Sequence, residues 1–126
     1  MSKQCIATDA APGAVGPYSQ AVRMGNLVFV SGQLGLDPQT GELVQGGVEA
    51  ETRRALENLS AIVQAAGGSL ANIVKTTVLL ADIGDFAKVN AIYATFFKEA
   101  PPARAAYQVA ALPLGGRVEI EGIATI

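Results

Sequence analysis

From Val48 to Ala66 the chain carries one unbroken apolar stripe at helical spacing, and no other feature limits its possible folds as strongly. Val48, Thr52, Ala55, Leu56, Leu59, Ile62, Val63 and Ala66 recur at intervals of mostly three or four, with Glu49, Arg53, Glu57 and Gln64 off the stripe. Glu49 precedes Arg53 by four residues, the better order for a modest surface ion pair. Gly67-Gly68 stops the helix.

The segments on either side read as strands. Residues 18–24 alternate weakly, as an edge strand does, Gly25-Asn26 turns the chain, and the β-branched and aromatic run 27–30 completes a hairpin that Ser31-Gly32-Gln33 ends. Asp37-Pro38-Gln39-Thr40-Gly41 is a turn. Residues 73–80 form a strand with Lys75 and Thr77 on one face and Val74, Thr76 and Val78 on the other. A second helix is expected over 86–99, its stripe being Phe86, Val89, Ile92/Tyr93 and Phe96, with Asn90 one turn after Phe86. Pro101-Pro102 terminates it. Strands over 104–109 and 117–125 finish the chain, joined through Pro113-Leu114-Gly115-Gly116. The order is β-β-α-β-α-β-β. Two helices need one sheet face, so the expected class is α+β, a two-layer sandwich in a single domain, 1–126. The other sheet face, only partly polar through Gln33, Thr77 and Gln108, is expected to meet other subunits.

Composition supports self-association. A chain of 126 residues buries only about two thirds of its unfolded surface. Charged residues make up 16% of it, against a usual ~25%. The net charge is -2 and the nine Lys and Arg are scattered, apart from Arg53-Arg54, so no nucleic-acid footprint is present. Neither a membrane-length apolar run nor a secretory leader is visible, and the single Cys5 suits a reducing compartment, so a cytoplasmic location is expected. The chain has no histidine. Ser-His and Cys-His catalysis and His-rich zinc sites are thereby excluded, and acid–base work falls to a carboxylate, a lysine, a tyrosine or water. With no metal-ligand cluster and no dinucleotide fingerprint, the expected chemistry uses no metal and no cofactor.

Arg104 is the only charged residue between Pro101 and Val109. At the start of a strand its guanidinium must find water, a carboxylate or an anionic ligand. The next strand offers Glu119 and Glu121 on one face, since strand side chains repeat every two residues. Two readings stand: a structural Arg–Glu pair, or an anion site beside a carboxylate base, suited to a small carboxylic acid and a reaction with water.

Longer segments carry a resemblance that covers essentially the whole chain: Ala-Pro-Gly-Ala-Val-Gly-Pro-Tyr-Ser-Gln-Ala at 11–21, Val-Phe-Val-Ser-Gly-Gln-Leu-Gly-Leu-Asp-Pro-Gln-Thr-Gly at 28–41, Ile-Val-Lys-Thr-Thr-Val at 73–78, Pro-Ala-Arg at 102–104 and Val-Glu-Ile-Glu-Gly-Ile-Ala at 118–124. In these the chain resembles the reactive-intermediate deaminase (RidA) family of enamine/imine deaminases. The resemblance implies a chorismate-mutase-like fold, one mixed sheet with two helices on one face, assembled as a homotrimer with ligand clefts between subunits. It implies hydrolysis of 2-enamino or 2-imino acids such as 2-aminoacrylate to a 2-keto acid and ammonia. Arg104 would bind the substrate carboxylate and Glu119 would orient or activate water. Tyr18, Ser31, Gly32 and Asn90 fall on further positions around the cleft. Where many members have a small residue and then cysteine after the arginine, this chain has Ala105-Ala106, which leaves Ala106 only its backbone to offer. Glu121 is a reserve base or a structural partner for Arg117 or for another subunit's arginine. The alternative function is a non-catalytic protein that binds or senses small carboxylates in the same cleft.

Overall fold

The stripe from Val48 to Ala66 is buried as a unit. Leu56, Leu59, Ile62 and Val63 have no exposed surface, each contributing roughly 1.5–3 kcal/mol by leaving water. The structure is a computed structural model that describes residues 2–126. Its elements are β1 (Gln4–Ile6), β2 (Ala21–Met24), β3 (Leu27–Leu34), α1 (Gly47–Ala65), β4 (Ile73–Leu80), α2 (Phe86–Phe96), β5 (Ala103–Gln108) and β6 (Val118–Thr125). They form one six-stranded sheet in the order β1-β2-β3-β6-β4-β5. Only β4 and β5 run parallel, as a strand–helix–strand crossover requires; the other pairs are antiparallel.

Both helices cover one face. α1 packs on β3 and β6 and against α2, and the core-facing residues Val28, Val30, Val78, Leu80, Val118, Ile120 and Ala124 are all buried. On the other face Phe29 and Tyr107 are 44% and 51% exposed, in line with an apolar surface left uncovered by the chain's own helices. The α+β sandwich expected from the sequence is therefore present.

Several boundaries differ from expectation. β1 is an additional strand, Gln4 pairing with Arg23 and Ile6 with Ala21, and it is too short to show a period. Residues 18–20 lie outside β2 because Gln20 turns inward. Its Nε2 donates to the carbonyls of Thr8 (3.0 Å) and Pro12 (2.7 Å), and its Oε1 accepts from the Thr8 N–H at 2.7 Å. β3 continues through Ser31 and Gly32 by a bulge: Val30 faces Gly122 and Gln33 faces Ile120, so two residues of β3 stand against Glu121. A second register shift, between Ile73 and Lys75, puts Val74 outside and separates it from the buried Thr76 and Val78. α2 stops at Phe96 rather than Glu99. On α1 the surface ion pair is Arg54–Glu57 at 3.5 Å, not Glu49–Arg53.

The buried side chain of Asn58 and the bare backbone at Gly35 fix how α1 sits. Asn58 Nδ2 donates to the carbonyls of Leu34 (3.1 Å) and Leu36 (2.9 Å), while its Oδ1 accepts from Arg54 Nε at 3.0 Å. At Gly35 the helix comes so near that a Cβ would lie 2.5 Å from Glu51 Cα, which leaves only glycine. Asn58→Ala should therefore lower unfolding free energy by about 2 kcal/mol, the cost of stranding buried acceptors. A urea titration measures it, and Arg54→Ala in parallel should cost less than about 1 kcal/mol.

Candidate active site

The chain past β1 is shaped by the inward turn of Gln20. With residues 8–12 tied to that side chain, the Ser31 hydroxyl donates to the Ser19 carbonyl at 2.6 Å and the Ser31 N–H to the Gln20 carbonyl at 2.9 Å. The segment carrying Tyr18 is thus fastened to the bulge of β3. Between them opens a cleft of about 610 Å³, lined among others by Tyr18, Gly32, Leu34, Leu114 and Glu119.

Glu119 enters this cleft from β6, opposite Leu34 of β3. Its carboxyl rests on the backbone of the bulge: a Cβ on Gly32 would stand 2.8 Å from Glu119 Cδ and 2.9 Å from Oε2. Partial burial pushes the Glu119 carboxyl above the usual carboxylate range, and the neighbouring Glu121 pushes it the same way. Arg104 is not among the causes.

Arg104 is elsewhere. It stands at the start of β5, opposite Thr76 of β4, and reaches over α2. Its Nη1 donates to Asn90 Oδ1 at 2.8 Å. The guanidinium carbon lies 5.3 Å from the centre of the Phe86 ring and 4.9 Å from that of Tyr93, within cation–π range. The Tyr93 hydroxyl is joined to Thr76 Oγ1 at 2.7 Å. Burial raises the Tyr93 pKa, against smaller lowering effects from Thr76 and Arg104, so the ring stays neutral. Thr76 faces the helices, whereas Glu119 and Glu121 point to the other face, so one chain does not bring Arg104 and Glu119 together.

The residues singled out from sequence thus fall into two groups. Tyr18, Gly32 and Glu119 share the cleft, with Ser31 beside them but its hydroxyl proton committed to Ser19. Arg104 and Asn90 form the second group, in which Asn90 holds the arginine. Ala106, on β5 opposite Val78, packs its methyl toward the core. Phe86 and Tyr93, which the stripe reading treated only as packing, are the rings against Arg104. Their signal was available: Phe86, Asn90 and Tyr93 are spaced four and three apart, which stacks them on one helix face. Arg117, offered as a partner for Glu121, instead pairs with Glu51. Among the described residues no group of His, Cys, Asp and Glu could hold a metal ion, and no helix is long and apolar enough to cross a membrane.

The chain and its fold have close counterparts. The family model described as Endoribonuclease L-PSP matches residues 8–126. A mouse (Mus musculus) protein named 2-iminobutanoate/2-iminopropanoate deaminase is 59% identical over 122 residues, 97% of this chain and 90% of the mouse protein. The crystal structure of RidA from an Antarctic Psychrobacter species superposes with a TM-score of 0.94 at 55% identity, covering 98% of this chain and 99% of that one. The E. coli protein TdcF, crystallised with bound serine, superposes with a TM-score of 0.93 at 46% identity, covering 98% of each chain. The chain belongs to the RidA family.

In this RidA chain the close seat of Glu119 on Gly32 is open to a direct check. Gly32→Ala should leave the fold intact, because the atoms it meets are the end of a side chain. The Glu119 carboxyl should be displaced, and its titration, followed by the ¹³C shift of Cδ, should move down toward the ordinary range.

Proposed function

We propose that this RidA protein is a hydrolytic deaminase of reactive 2-enamino and 2-imino acids such as 2-aminoacrylate, yielding a 2-keto acid and ammonia without a cofactor. The observation that carries this reading is Glu119, a carboxyl with a raised pKa laid against backbone in a roomy cleft, in a chain with no histidine to do acid–base work. The mouse relative's name and the serine bound in TdcF agree with a small amino-acid-derived substrate.

In this reading the working site is composite. The exposed apolar sheet face packs against neighbouring copies in a homotrimer, and the Arg104 edge of one protomer closes the Glu119 cleft of the next. Arg104, held by Asn90 and the two rings, offers a planar fork that matches a carboxylate bidentately. A bound 2-imino acid is then oriented with its C=N carbon toward water, and orientation supplies much of the rate. Glu119 in its ionised form takes a proton as water attacks that carbon. It returns that proton to the nitrogen and then relays the remaining hydroxyl proton to it as the C–N bond breaks, so ammonia leaves and the carbonyl forms. Tyr18 covers the substrate, and the backbone at Gly32 and Ala106 supplies close polar contacts.

Glu119→Gln should reduce turnover by roughly 10²-fold or more while keeping 2-oxobutyrate binding, with Glu121→Gln as the control. The assay generates the imine with a separate dehydratase and follows its decay. Full activity in the Glu119 variant would remove this base. Because folding raises the Glu119 pKa, the native chain holds that proton more tightly than the unfolded one, and stability falls as pH rises through the raised value. The Gln variant should therefore melt no lower than the parent at neutral pH. The acid limb of kcat/KM should lie above the ordinary glutamate range, since the base must be ionised.

The shared site has its own test. Arg104→Ala and Glu119→Gln proteins, each strongly impaired alone, should regain activity when unfolded together and reassembled, with roughly a quarter of interfaces intact on random mixing in a cyclic trimer. No recovery, or a stable monomer by sedimentation, would contradict the composite site.

A further inference from the structure

Glu51, in the first half of α1, has no exposed surface. Its Oε1 accepts the Arg117 backbone N–H at 2.8 Å and its Oε2 accepts Arg117 Nη1 at 2.6 Å, while the Arg117 side chain itself is largely in water. Taking a carboxylate wholly out of water is a poor route to stability, since an apolar side chain of similar volume often serves the packing as well. Two carboxylate oxygens supply something an apolar group cannot: they hold one residue by its main chain and its side chain together.

The residue they hold stands two before Glu119. It also follows the turn Pro113–Gly115, whose Pro113 and Leu114 line the cleft. On the opposite side the backbone of Glu51 touches Gly35, next to Leu34, and Leu34 is the register partner of Glu119. Glu51 therefore lies between the two strand segments that frame the Glu119 carboxyl.

We propose that Glu51 is a positioning residue for Glu119: its clamp on Arg117 sets the start of β6 against the end of β3, and so seats the Glu119 carboxyl on Gly32. The kinetic part of the test rests on the deaminase reading; the spectroscopic part does not.

Glu51→Gln keeps the volume and one acceptor but turns an amide toward the guanidinium, breaking one arm of the clamp. Glu51→Met removes both arms with an apolar side chain, the kind of replacement that buried ion pairs often tolerate. Arg117→Gln breaks the clamp from the solvent side. In each folded variant the ¹³C titration of Glu119 Cδ should move toward the ordinary range. The kcat should fall about 10-fold, since a small misplacement of a reacting group is expensive, and inhibition by 2-oxobutyrate should stay nearly unchanged. A folded variant with a lowered melting temperature but the parent's Glu119 titration and kcat would make Glu51 merely structural and overturn the proposal. If the parent itself fails to turn over imines, the deaminase reading falls, and the Glu119 titration still decides the role of Glu51.

Discussion

The seam between α1 and the β3–β6 pair governs the rest of the molecule. Its middle is apolar and non-directional, and would tolerate some sliding of helix over sheet. Its polar points do not. Asn58 grips two carbonyls at the end of β3, Glu51 grips the residue before β6, and the bare backbone at Gly35 lets the helix come close enough for both. The hydrophobic stripe supplies most of the stabilisation, and these few directional contacts choose one register from among the near-equivalent ones.

That register determines where the chemistry is exposed. Residues on one sheet face serve the core, and Glu119 and Glu121 stand on the other. Arg104 belongs to the helix side and is steadied by α2. This RidA chain thus carries Glu119 and Arg104 on different surfaces. Under the proposed composite site, Arg104 and Glu119, each held by local contacts, would meet only through assembly.

Much of the fold was legible because its signals are local. The stripe of α1 and the limits of β4 depend on nearest neighbours in sequence, and both were read correctly. What escaped reading depends on partners distant along the chain. β1 exists because β2 offers it an edge, and the bulge at Ser31-Gly32 appears only when β3 is laid against β6. Glu51 and Asn58 stand three or four residues from Val48, Ala55 and Ile62, but their polar character kept them off the stripe; the partners that fix them against the sheet, Arg117 and the carbonyls of Leu34 and Leu36, are 66, 24 and 22 positions away. For the site, residue types and the carboxylate face were legible. The cage of Phe86 and Tyr93 around Arg104 was half-visible in helix spacing. The opposite orientation of Arg104 and Glu119 was not, because it follows from the strand order β6-β4-β5.

The bulge in β3 has a consequence for how this stretch of chain can change over time. Because two residues there oppose one, the strand beyond it is a half-period out of step with the strand before it. Its side chains keep their faces only while that count is kept. Loss of a residue between Val30 and Gln33 would turn the end of β3 over, presenting Leu34 to the wrong layer and leaving Glu119 without its neighbour. Substitution at Ser31 would cost one hydroxyl contact to Ser19. In this segment the number of residues is therefore constrained more tightly than the identity of Ser31, and variation there is expected as exchange rather than as insertion or loss.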